Sequence, residues 1–339
     1  MTETQTQQRQ RTEAKWMTGY GVMCHYLADT ASSKISTGIS IADWNERVES
    51  FNVARFAQQI AAAGASYVIF TLGQNSGFFC SPNATYDGFV GKPSRLSERD
   101  LMGDLVAALK PAGVQLIAYL PSHAPANHRQ AVERLRCTPK WDASRWQLTP
   151  DKYSASENVD ERLSTFQQGW EAVIREWSTR WGDRLSGWWI DGCYHADRMY
   201  CHDDAPNFAS FAAALKAGNP QSVIAFNLGV SDPIRSNTVY DDYTPGEVNS
   251  LALPHKFARW ETSTAGAKLH ILSYLGEWWG EGPLRIPGNL AAEYTRTING
   301  LGGAVTWDIP VGHDGEIAHD FVRVLQSVRR GAYVDCVQE

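Results

Sequence analysis

The chain has 339 residues, a formal net charge of −6, and 43% hydrophobic and 20% charged residues, which is the balance of an ordinary globular protein. Both signs of charge are scattered, so no basic stripe marks a nucleic-acid partner, and no apolar stretch marks a membrane anchor. Six widely spaced cysteines without a CxxC pair read as free thiols and exclude a disulfide framework as the basis of the fold.

The first fifteen residues, "MTETQTQQRQRTEAK", are polar and low in complexity, which predicts a disordered tail over 1–15. They contain no apolar core of a secretory leader, so a cytoplasmic protein is expected. Apolar runs then predict strands at 19–27, 66–72, 114–120, 185–190, 222–228, 238–243, 269–275 and 303–309. Between them, apolar residues at helical spacing predict helices over 52–64, 97–113, 157–182, 205–218 and 316–331. Ser97 with Asp100 reads as a capping box, and Gly64, Gly113 and Gly218 stand where left-handed C-caps belong. Strands alternating with helices predict a single (β/α)8 TIM barrel over 16–335. The rival open sheet lacks a GxGxxG after its first strand.

In such a barrel the chemistry collects at the C-terminal ends of the strands. Those positions hold Cys24, His25, Gln74, Asn75, Ser76, Tyr119, Ser122, His123, Trp189, Asp191, Asn227, Asp241, Asp242, Glu247, Glu277, Trp278, Trp279, Trp307 and Asp308. The set is rich in carboxylates and aromatic rings and poor in Lys and Arg, which argues against a phosphate-handling site. Two carboxylates flanking an aromatic pocket suit glycoside hydrolysis, with one anion at the sugar carbon and one acid at the leaving oxygen. Thirteen tryptophans and thirteen tyrosines serve mainly as core, with some left to stack on sugar rings. Trp278 beside Trp279, followed by Gly280, reads as such a stacking platform.

These motifs resemble the α-L-fucosidases of glycoside hydrolase family 29 from about residue 16 to 320. "KWMTGYGVMCHYL" is similar to the family's first strand, whose sugar-binding histidine His25 matches. "SERDLMGDLVAALKPAGVQLIAYLPS" resembles the segment leading through the third strand, and Tyr119 matches a tyrosine there. "GWWIDG" resembles the W-x-D-G of strand four, which implies Asp191 as nucleophile and Trp189 as a pocket wall. "DDYTPGEV" looks like the T-P-E loop that carries the acid/base; Glu247 matches, with Gly246 inserted. "RWETS" resembles a later W-E pair at Trp260 and Glu261, and "GAVTWDIPVGHDGEI" resembles the closing segment. Two departures imply a changed sugar. "QNSGF" stands for the family's H-H-D-G-F, making Gln74 and Asn75 the implied hydroxyl binders. "FNLGV" keeps Asn227 but has Gly229 where the family carries an arginine.

The expected activity is a retaining hydrolysis of a terminal sugar, with carbohydrate as partner and no cofactor or metal. Glu261, Glu277 and Glu281 remain alternative acids. A catalytically inactive carbohydrate-binding barrel is one rival. The other is a metal-dependent hydrolase using the Cys193, His195, Asp197, Cys201, His202, Asp203 and Asp204 cluster.

Overall fold

The computed structural model describes residues 11–29, 38–137, 140–142, 147–149, 162–194, 196–231, 233–251 and 266–333. Seven parallel strands form one curled sheet: β1 (Tyr20–Cys24), β2 (Tyr67–Thr71), β3 (Gln115–Pro121), β6 (Gly187–Asp191), β7 (Val223–Phe226), β8 (His270–Tyr274) and β9 (Ala304–Ile309). Its order is β7-β6-β3-β2-β1-β9-β8, and a two-stranded pair, β4 (Lys140–Asp142) with β5 (Gln147–Thr149), stands apart. Sequence-adjacent parallel strands with helical crossovers give an α/β fold of (β/α)8-like kind. Among the described residues, no helix is long and apolar enough to cross a membrane.

The expected strand over 238–243 is not a strand. Two aspartates of that segment put carboxylates where a ladder needs carbonyls: Asp241 Oδ1 accepts from Phe226 N at 2.8 Å and Asp242 Oδ2 from Ile224 N at 3.0 Å. On its other side the segment pairs with β8 through isolated parallel bridges, Tyr243 with Lys268 and Glu247 with Leu272. Residues 241–248 thus lie between β7 and β8 as irregular chain held partly by side chains.

Alternation along the strands separates two cores. Val68 and Phe70, Ala118 and Leu120, Trp188 and Ile190 face the helices. Tyr67 and Ile69, Ile117 and Tyr119, Trp189, Leu272 and Tyr274 fill the inside of the curled sheet. Trp44, Trp170, Trp177, Trp181, Trp188 and Trp307 are fully buried packing residues, so these six belong to the core rather than to a sugar-stacking surface. Gly21 is required inside the sheet, because a Cβ there would fall 2.1 Å from the Tyr67 ring.

The predicted helices form at Val53–Ala63, Leu101–Leu109, Ser164–Trp181, Phe208–Leu215 and His319–Tyr333. Asp100, rather than Ser97, is the N-cap of its helix, accepting from Gly103 N. Gly64 and Gly113 do adopt left-handed backbone. Gly218 is needed for close approach instead, since a Cβ would sit 1.9 Å from Ser178 O.

The tail expected over 1–15 is packed from residue 11 onward. Arg11 Nε donates to Asp241 O and Thr12 N to Asp242 Oδ1, both at 2.8 Å. Ala14 and Met17 are buried in the inner core, and Trp16 meets Tyr67 edge-on. This segment covers the end of the sheet where the strands begin. Asp242 Oδ2 also accepts from Lys216 Nζ at 2.8 Å, an ion pair with almost no exposure. Asp242→Ala removes the carboxylate that balances the Lys216 charge and the acceptor of two backbone N–H groups, so urea unfolding should show a loss of about 3–5 kcal/mol.

Candidate active site

At the opposite end, where the strands finish, the side chains converge. Asp191 is the last residue of β6, and its neighbours in register are Pro121 on β3 and, one residue earlier, Ile190 with Phe226 on β7. Asp191 Oδ2 accepts from Tyr119 OH at 2.6 Å, and Oδ1 accepts from Asn227 Nδ2 at 2.9 Å. The same Nδ2 donates to Glu247 Oε2 at 2.6 Å. One amide nitrogen therefore bridges the two carboxylates, while Asn227 Oδ1 accepts from Gly229 N at 3.1 Å. Both Nδ2 hydrogens are spent on carboxylates, so Asn227 sets the spacing of the acids rather than gripping a hydroxyl.

Glu247 does not ride on an open polar loop. Val248 N donates to Leu272 O and Leu272 N to Gly246 O, which staples the segment onto β8. The inserted Gly246 makes this possible: its φ is +68, and a Cβ would fall 2.0 Å from His270 O. Trp189 Nε1 donates to Pro245 O at 3.1 Å, fixing the turn that leads into the glutamate.

Burial and then the negative charge of Asp191 push the Glu247 carboxyl up to about 7, against the opposing pull of Asn227 and His25. An acid poised there can hold its proton near neutrality and give it away.

His25 follows β1. Burial disfavours its charged form, but the Asp308 carboxylate, its hydrogen bond, and the charges of Asp191 and Glu247 together raise its pKa. Nδ1 donates to Asp308 Oδ1 at 2.8 Å. The other Asp308 oxygen accepts from Gly280 N. The His25 ring lies 5.7 Å from Tyr119 and 6.1 Å from Trp279, so it faces the same cavity as the acids.

Gln74 Nε2 donates to Tyr119 OH at 2.7 Å. Because that hydroxyl gives its own hydrogen to Asp191, the amide is oriented with Oε1 away from Tyr119. Gln74 Oε1 and Asn75 Oδ1 are buried without a partner, so each amide keeps an unused acceptor. Trp189 is stacked on Tyr119 at 5.3 Å and almost wholly buried; it is floor beneath the pocket, not wall. Trp278 is 40% exposed and edge-on to Tyr274, whereas its buried neighbour Trp279 is the ring that reaches His25. Trp260 and Glu261 lie outside the described residues.

The structure also brings in Tyr194, whose ring lies against Gly229, together with Asp308 and Trp279. Asp308 and Trp279 stand at strand ends in the sequence, yet nothing local distinguishes an acid that orients a histidine. The Cys/His/Asp cluster is not gathered into a metal site among the described residues. Cys193 is buried in the outer core, His202 Nε2 meets Arg198 O, and Asp204 pairs with Arg162.

A family model of α-L-fucosidases matches residues 3–336. The chain belongs to the α-L-fucosidase family. As a member of that family it is a glycoside hydrolase. No curated protein matches the sequence of this α-L-fucosidase-family chain. Solved structures share its fold. The endo-fucoidan hydrolase P5AFcnA from glycoside hydrolase family 107 is 19% identical with a TM-score of 0.62, over 96% of this chain and 94% of that one. The α-L-fucosidase AlfC from Lactobacillus casei, solved with α-L-fucose product, is 15% identical with a TM-score of 0.57, over 94% and 96% of the two chains. The α-L-fucosidase isoenzyme 1 from Paenibacillus thiaminolyticus is 16% identical with a TM-score of 0.59, over 95% and 74%.

Proposed function

We propose that the protein is a retaining glycoside hydrolase that removes a terminal fucose or a closely related sugar, with Asp191 as nucleophile and Glu247 as acid/base. An Asp191 oxygen bonds to the anomeric carbon as the bond to the leaving oxygen breaks, and Glu247 gives its proton to that oxygen. A water then bonds to the same carbon, its proton passes to Glu247, and the bond to Asp191 breaks.

The observation that carries this reading is the shared amide. Asp191 Oδ1 and Glu247 Oε2 lie 2.9 and 2.6 Å from one nitrogen, so their separation cannot exceed the two distances laid end to end. That fits the roughly 5–5.5 Å of a double-displacement pair and falls short of the roughly 6.5–9.5 Å that leaves room for an inverting water. Support for an altered sugar preference comes from the unpartnered acceptors of Gln74 and Asn75 and from Gly229, which brings no side chain to the pocket.

The test is the first-formed anomer. Proton NMR of aryl α-L-fucoside hydrolysis, extended to aryl galactosides and arabinosides, should show product of the substrate's own anomeric configuration before mutarotation. The opposite anomer would overturn the double displacement. Sugar binding without cleavage of any aryl glycoside would favour a non-catalytic barrel.

A further inference from the structure

Along the rim of the curled sheet the site residues come in a fixed order. Asp191 ends β6, Asn227 follows β7, and Glu247 stands on the segment between β7 and β8, bridged to Leu272 of β8. The next element beyond Glu247 is the tight turn after β8, residues 276–282. Trp278 and Glu281 exchange backbone hydrogen bonds across it, at 3.2 and 3.1 Å. The turn is keyed to the cavity that holds the acids. Gly280 N donates to Asp308, the carboxylate that also holds His25, and a Cβ at Gly280 would fall 2.6 Å from His25 Cβ.

The two adjacent tryptophans of this turn are placed differently. Trp279 is buried, packs on Tyr274 at 4.7 Å and lies 6.1 Å from the His25 ring. Trp278 meets Tyr274 edge-on at 5.4 Å and is 40% exposed, so a large apolar ring is left to solvent on a rigid support. The rings of His25, Trp279, Tyr274 and Trp278 thus form one run from the cavity to the surface.

We infer that Trp278 is the platform for the sugar on the leaving-group side of the scissile bond, and that the substrate is a glycan chain rather than a simple glycoside. The inference rests on Asp191 as nucleophile and Glu247 as acid/base. With those roles, the transferred sugar sits against Asp191 and the departing oxygen against Glu247. Whatever that oxygen belongs to extends past Glu247, toward the turn after β8. A sugar ring offers a face of C–H groups there, which an indole covers while the hydroxyls at the ring's edge stay in water. Because the turn holds the indole in place beforehand, the contact costs little ordering. A contact made by the leaving group persists while the bond breaks, so it appears in kcat/KM.

Two substrates with the same transferred sugar test this apart from the catalytic reading. α-L-Fucosyl fluoride releases only fluoride and puts nothing on Trp278, whereas α-L-fucosyl-lactose puts a sugar there. Trp278→Ala should lower kcat/KM for the fucosyl-lactose about five- to tenfold and leave the fluoride within about twofold. Trp278→Tyr should recover most of the loss. A loss on the fluoride as large as that on the fucosyl-lactose would make Trp278 a support of the cavity, and no loss on the fucosyl-lactose would make it an ordinary surface ring. Either result overturns the inference while Asp191 and Glu247 keep their roles. If wild type cleaves neither these nor the matching galactosyl and arabinosyl pairs, the hydrolytic reading falls, and the inference with it. The exposed ring is not part of either core, and thermal melting checks that Trp278→Ala keeps its fold.

Discussion

Asp191→Gly should lower turnover of an aryl glycoside by at least about 10⁴-fold, the scale seen when a nucleophile is deleted, and azide should restore part of it. The cavity left by the carboxylate opens beside Tyr119 and Asn227, whose donors formerly held the two oxygens. A small anion entering there meets the anomeric carbon from the nucleophile's side. The rescued product is therefore a glycosyl azide of inverted configuration, identifiable by NMR. Unaltered turnover in a folded Asp191→Gly protein would end the assignment. Asp191→Asn is the weaker variant, since an amide would put its own NH2 against donors.

Glu247→Ala should behave differently in three respects. Its loss depends on the leaving group: small for a nitrophenolate that needs no proton, and about 10²–10⁴-fold for an ordinary sugar alcohol. Azide should again rescue, now by attacking the glycosyl-enzyme, so the product retains configuration. The basic limb of the wild-type kcat/KM profile should fall near pH 7, where the buried carboxyl loses its proton, and it should vanish in the variant when a nitrophenyl glycoside is the substrate.

Glu247 also leaves a mark on stability. Its folded pKa of about 7 lies above the ordinary glutamate value of 4.5, so its favourable contribution is complete below about 4.5 and lost as pH rises through about 7. Glu247→Gln, which cannot ionise, should be more stable than wild type at pH 8 by roughly 2 kcal/mol and no more stable at pH 4. Chemical denaturation at the two pH values checks this. An equal effect at both would mean that the glutamate is not held against its charge.

Strands whose two faces are both covered announce themselves: seven of the eight expected runs contain strands, six of them within two residues at each end, while the first stops at Cys24, three residues short of the expected end. The exception is instructive. "TVYDDY" carries the β-forming residues of a strand, but the carboxylates of Asp241 and Asp242 reach Phe226 N and Ile224 N and displace the ladder. Side-chain competition of that kind depends on partners far along the chain. The helices Ile41–Ser50, Ala84–Val90 and Gly288–Gly300 lie outside the expected helical stretches, although Ile41, Trp44 and Val48 do stand at helical spacing. At the site, motif context picks out Asp191 and Glu247, which the fold brings together on one amide. The part played by Asn227 was not legible, since an asparagine at a strand end looks the same whether it meets a sugar or two acids. Tyr194 was hidden for a similar reason, as only the fold shows that its ring meets Gly229.

The packed segment from Arg11 to Met17 has a practical side. It closes the end of the molecule farthest from the acids, with Thr12 tied to Asp242 and Met17 sunk in the inner core. A bead or sensor surface coupled ahead of residue 11 would thus hold the molecule by its base, with the strand ends that carry the paired acids turned to the bulk solution.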